Sequence, residues 1–185
     1  MQPIRAYALC GAAIAATATF AFLQFPGLLI WCAFLGWAGF LHSGGDRTTI
    51  LPTVLCMLFG ATMAWLFAVI VAGGYLPLPL PVAAALLVAA MAPVIIGASR
   101  LPLLGIVPAS FYGFASCFAF LAQSSGQFTT PALTTFGAGH VLVVVPVSMV
   151  IGVALGWLQT VLAQALLKAS TPAALDTLAD YMGPH

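Results

Sequence analysis

A chain of 185 residues that is 63% hydrophobic and only 4% charged, with a formal net charge of +1, lies far outside the range of soluble globular domains, where about a quarter of residues carry charge. Its mean hydropathy of +1.18 implies an integral membrane protein with the lipid bilayer as its first partner, and the length suits about six spans of roughly 20 residues with no space left for a folded soluble domain. The four Lys and Arg residues form no cluster, which excludes a nucleic-acid surface.

In chain order, apolar runs fall at 6–24, 27–42, 50–72, 80–98, 102–122 and 140–166. The first follows Arg5 and has the look of a secretory signal, but it is read as the first membrane helix because it completes a set of three. Pro26 separates it from the second run, which ends at a turn of Ser43, Gly44, Gly45 and Asp46. At 1.5 Å per residue this second run reaches only about 23 Å, short of a hydrocarbon core of about 30 Å, so it is expected to end within the membrane. Gly73, Gly74 and Pro77 close the third run, and Arg100 and Pro102 close the fourth. The fifth, with Pro102 and Pro108 near its start and Ser124, Ser125 and Gly126 at its end, repeats the interrupted character of the second. A Ser/Thr/Gly connection over 124–139 leads to the sixth run. The last residues, 169–185, form a cytoplasmic tail, either a short amphipathic helix or frayed.

The chain states nearly the same text twice. Phe34, Gly36, Trp37 and Ala38 return as Phe111, Gly113, Phe114 and Ala115; the polar run from His42 to Thr49 is echoed from Gln123 to Thr130; Met57, Gly60, Trp65 and Leu66 recur as Met149, Gly152, Trp157 and Leu158. The expected architecture is therefore all-α, with six transmembrane helices as a 3+3 inverted repeat: residues 1–75, then 76–168, with re-entrant or interrupted second and fifth segments. Three spans per copy force the second copy into the bilayer upside down, and paired Gly/Pro-interrupted segments in two such halves point to a permeation site. With the N-terminus in the cytoplasm, Arg5, Arg47, Arg100 and Lys168 all fall on the cytoplasmic side, as the positive-inside rule requires. The C-terminus is then cytoplasmic too.

Several residues are candidates for function. Phe34, Trp37 and Phe40 in one copy, and Phe111, Phe114 and Phe118 in the other, fall at helical spacing and form stripes that either line a pore or pack. His42, Ser43, Thr48 and Thr49 against Gln123, Ser124, Thr129 and Thr130 supply polar mouths, where a solute shedding water needs replacement partners; turns and helix caps are the competing use of such residues. Asp46 and Arg47 are expected to pair at the cytoplasmic lip. His42 and His140 are expected as solvated interfacial residues, with a proton relay the rival reading. Gly60, Gly152 and Gly156 are assigned to close helix packing, as are Trp65 and Trp157. Cys10, Cys32, Cys56 and Cys117 read as small apolar filler. Neither paired carboxylates nor a metal-binding or nucleophile motif is present in the sequence, so no enzyme, no cofactor and no metal is expected.

Around Gly36, Trp37, Ala38, Gly39 and Phe40, and again from Val107 to Gly113, the chain resembles a family of small bacterial inner-membrane proteins known only as domain of unknown function 1097. The resemblance spans most of residues 25–165 and implies a compact multi-span protein of the bacterial inner membrane, with no catalytic residue to carry over. The functional expectation is a channel or channel-like facilitator for a small neutral or weakly charged solute, because coupled pumps usually carry buried ionisable residues. A membrane scaffold without transport and a proton-coupled alternating-access transporter are the alternatives. Small-residue faces leave homo-oligomerisation open.

Overall fold

Helices form where the apolar runs place them. The computed structural model describes the backbone of residues 2–181 and the side chains of residues 2–170. In order come α1 (Pro3–Gln24), α2 (Ile30–His42), α3 (Ile50–Ala72), α4 (Leu80–Gly97), α5 (Val107–Gln123), α6 (Thr130–Thr134) and α7 (Val141–Tyr181). Four stretches, Pro3–Gln24, Arg47–Ala72, Leu80–Arg100 and Val141–Ser170, are long and apolar enough to cross a membrane, while α2 and α5 are shorter apolar helices. Proline occupies the first turn of α1, α4, α5 and α6, where its missing N–H costs nothing. The helix α2 stops at Ser43 because Gly44 and Gly45 adopt φ of 108° and 65°, a backbone region that glycine enters without strain. Gly45 N–H then closes on the Phe40 carbonyl at 3.0 Å.

Two of the sequence boundaries shift. The fifth helix begins at Val107 rather than 102, since Leu101–Ile106 form a turn and Pro108 takes the first helical turn, which leaves α5 at 17 residues. The tail does not separate from the sixth run: α7 continues as one helix of 41 residues to Tyr181. The side chains beyond Ser170 and residues 182–185 lie outside the described residues.

Packing is organised by four glycines that have no room for a side chain. A Cβ on Gly36 of α2 would collide with the Met149 carbonyl of α7, and one on Gly152 with the Ala33 carbonyl of α2. In the same manner a Cβ on Gly60 of α3 would meet the Ser110 carbonyl of α5, and one on Gly113 the Met57 carbonyl of α3. Each glycine thus seats against the carbonyl three residues before the facing glycine, the arrangement that lets two backbones touch. Along the α2–α7 pair, Leu29 N–H donates to Ser148 Oγ at 3.0 Å and Trp37 Nε1 donates to Gln159 Oε1 at 2.8 Å, so residue numbers rise together and the two helices are parallel. Phe67 and Phe118, 5.2 Å apart, fix the same sense for α3 and α5. The pairs oppose one another where α2 crosses α5: Gly39 lies against Tyr112, and Cys32 lies beside Ser116.

The partners in each pair come from different halves of the sequence. The outer helices follow suit, α1 packing on α7 and α4 on α3, so residues 1–75 and 76–168 interlock rather than fold side by side. On α1 the buried face repeats every four residues as Ala6, Cys10, Ile14, Ala18 and Phe22; α4 buries little, with Ala83, Met91 and Ile95 turned inward. Cys32, Phe40, Cys56, Met57, Phe67, Cys117 and Met149 occupy the centre, and all four cysteines are buried free thiols.

Candidate functional site

Small residues meet where α2 crosses α5. Cys32 and Gly39 of α2 lie there with Ser116 and Cys117 of α5, the Tyr112 ring and the Met57 methyl filling the space that Gly39 leaves, while Gly36 and Gly113 face α7 and α3. At one end His42 Nδ1 and the Tyr112 hydroxyl meet at 3.0 Å. At the other, a depression of about 570 Å³ is lined by Leu29, Phe120 and Val144 together with Gln123, Ser124, Ser125 and Gln127. Cys32 follows Leu29 by one helical turn along α2, and Ser116 and Cys117 precede Phe120 by one along α5. Buried Met57 and Cys117 fill the crossing.

The six aromatic residues do not surround one passage. Trp37 and Phe40 are buried, at 8% and 0% exposed, and both press on Gly156; Phe34, Phe111 and Phe118 are 38–39% exposed. Phe34 sits 6.2 Å from Trp37, and Phe114 stacks on Phe118 at the same separation. Each copy therefore forms its own ring pair. Phe34 and Trp37 line a groove beside α1, with Gly11, Ala38, Leu41 and Gln159, and Phe118 packs on Phe67 of α3.

The polar ends divide into spent and available groups. Ser43 Oγ donates to the Gly39 carbonyl at 2.6 Å, Thr49 Oγ1 to that of Asp46 at 2.7 Å, Thr129 Oγ1 to that of Gly126 at 3.0 Å and Thr130 Oγ1 to that of Ala72 at 3.2 Å. These four hydroxyls cap turns and helix ends. Thr49 and Thr129 each turn back to the carbonyl three residues earlier, but Thr129 is the echo of Thr48, and Thr130, the echo of Thr49, bonds Ala72 instead. Thr48 is exposed, and its N–H lies 3.4 Å from Asp46 Oδ1. His42 is exposed and meets the Tyr112 hydroxyl, and Gln123 and Ser124 line the depression.

Four expectations are corrected by the packing. Asp46 and Arg47 do not pair: among the described residues Asp46 caps the turn at Thr48, and both side chains are exposed. His140 is not solvated. It is 3% exposed and caps α7, its Nδ1 accepting from Leu142 N–H at 3.2 Å while Nε2 lies 3.1 Å from the Leu133 carbonyl. That pair of contacts places the ring proton on Nε2. The same carbonyl accepts from Trp65 Nε1 at 2.9 Å, so the 124–139 connection, expected as a plain linker, folds α6 inward and buries Leu133 completely. Trp157 is also no packing residue; it is 41% exposed and walls a second polar depression of about 390 Å³ with Tyr7, Gly44, Gly45, Asp46 and Arg47. Thr160 and Gln164 complete that wall.

Sequence reasoning passed over Gln159. Its amide accepts from Trp37 Nε1 and donates from Nε2 to the Tyr7 carbonyl at 2.9 Å, tying α1, α2 and α7 together in an apolar setting. The signal was available, since a lone amide inside an apolar run needs partners. Among the described residues no group of His, Cys, Asp or Glu could hold a metal ion.

The model of a family described as a protein of unknown function, DUF1097, matches residues 8–164. The chain belongs to this family. The match begins within α1 and ends within α7, so the glycine seams, the α2–α5 crossing and the Trp37–Gln159 pair lie inside the DUF1097 region. No curated protein and no solved structure matches the chain.

Proposed function

We propose that this DUF1097 chain is a six-span membrane protein of two inverted three-helix copies that passes a small neutral or weakly charged solute along the α2–α5 crossing, and that the structure is its closed form. The N- and C-termini face the cytoplasm of a bacterial inner membrane, with Arg5, Arg47, Arg100 and Lys168 gathered at that face. Inversion is supported by the glycine seams, in which Gly36 with Gly152 and Gly113 with Gly60 repeat one contact in two helix pairs of opposite direction. The observation that supports transport is the depression of about 570 Å³ lined by Leu29 and Phe120, one helical turn along the chain from Cys32, Ser116 and Cys117 at the crossing whose other end holds His42 and Tyr112. Short helices flanking the crossing suit this use, because irregular backbone at membrane depth is tolerated where it lines a cavity.

Flux of urea, ammonia, formate and glycerol into liposomes carrying the purified chain tests the proposal. At least one should enter faster than into empty vesicles; equal leakage for all four removes transport. A second reading, a membrane scaffold, is favoured by the packed Met57 and Cys117 at the crossing. Scaffold function predicts no flux together with a stoichiometric partner on purification.

A further inference from the structure

The depression at the Arg47 end continues into the groove between α1 and α2. The groove residue Leu41 lies against Gly45 of the depression, which also faces Thr160, and the groove residue Gln159 bonds to Tyr7 of the depression. One continuous surface results, apolar along Phe34, Ala38 and Leu41 and polar at Tyr7, Asp46, Arg47, Thr160 and Gln164. From Phe34 to Leu41 the groove follows about 10 Å of helix axis. At its polar end stand two opposite charges on adjacent residues that form no ion pair with each other, the Asp46 carboxylate accepting from Thr48 N–H at 3.4 Å.

We propose that this surface holds one phospholipid with a phosphoethanolamine headgroup, its phosphate on Arg47, its ammonium on Asp46 and one acyl chain along the groove. Charge complementarity selects that headgroup. A phosphoglycerol head would bring only negative charge beside the Asp46 carboxylate, and a choline ammonium has no N–H to give it. Trp157, half exposed at the rim, is the residue type that seats at the headgroup level. The inference rests on the reading of the chain as a membrane protein, and on neither transport nor inversion.

The test is native mass spectrometry of the full chain, purified and delipidated in detergent, then titrated separately with palmitoyl-oleoyl phosphatidylethanolamine, phosphatidylcholine and phosphatidylglycerol. One ethanolamine lipid should be retained in preference to the other two. Asp46→Asn and Arg47→Gln should each weaken it by about two- to fivefold, the scale of one partly exposed charge contact, with Arg47→Lys close to wild type and Ala38→Trp, which fills the groove, binding none. Circular dichroism confirms that each variant keeps its helix content; these positions are exposed, so folding should survive. Equal retention of the three lipids, preference for the glycerol or choline head, or unchanged binding in both charge variants overturns the proposal. Release of the chain from membranes by alkaline carbonate would instead remove the membrane reading beneath it.

Discussion

Alanine at Gly113 drives a methyl group into the Met57 carbonyl, and because the obstructing atoms are backbone, no side chain can turn aside to admit it. The α3–α5 pair must separate. Overpacking of this kind costs about 1–3 kcal/mol, and weakening two close glycine-to-carbonyl contacts adds about 0.5–1 kcal/mol each. Replacing glycine in a helix returns about 1 kcal/mol. The net expectation is destabilisation of about 1–4 kcal/mol, with a similar loss for alanine at Gly36, Gly60 or Gly152. Alanine at Gly97, the last residue of α4, with open space around its Cβ position and φ of −64°, should be neutral or slightly stabilising. Reversible unfolding in mixed micelles, followed by circular dichroism, gives the numbers. Double-mutant cycles then examine the pairing. Once one alanine has parted α3 from α5, a second at the facing glycine meets less resistance, so Gly60→Ala with Gly113→Ala should cost less than the sum, whereas Gly36→Ala with Gly113→Ala should be near additive. A neutral Gly113→Ala, or strong coupling between Gly36 and Gly113 with none between Gly60 and Gly113, would refute the reasoning.

Gln159→Leu should destabilise by about 1–3 kcal/mol, because the buried Trp37 indole loses its acceptor, and Trp37→Phe should recover part of that loss in the double variant; an additive pair in thermal unfolding contradicts the network. His140→Ala removes the cap on α7 and should cost about 0.5–2 kcal/mol, with faster hydrogen exchange at Leu142 and across 130–140, while His140→Asn should retain most of the protection. Phe120→Ala enlarges the 570 Å³ depression and should raise solute flux in liposomes; flux no greater than wild type places the barrier elsewhere.

The duplicated text made the helices legible, and α3, bounded by the Asp46 turn and Gly73, lies where the run 50–72 placed it. Gly60 and Gly152 were also identified as packing positions. Their partners were not, because helical spacing reveals which residues share a face and is silent on which helix meets it; that Gly36 seats on Met149, across the two copies, is a tertiary choice. The aromatic stripes suffered from the same gap. Phe34 and Phe111 do lie at helical spacing with their neighbours, yet they face grooves and outer surfaces rather than each other. His140 gave no local signal, since its burial depends on Leu133 being folded inward by Trp65 some 68 residues away. The Asp46–Arg47 expectation failed on geometry: adjacent residues at the start of a 3-10 turn point apart, and Asp46 is engaged in capping.

Cysteine accessibility tests the inverted architecture most directly. Thr48 and Ser125 are exposed positions in the two echoed loops, and the four native cysteines are buried, which keeps the background low. In intact cells a membrane-impermeant maleimide should label Ser125→Cys from outside and reach Thr48→Cys only after the membrane is opened. Labelling of both positions from the same side would contradict the account.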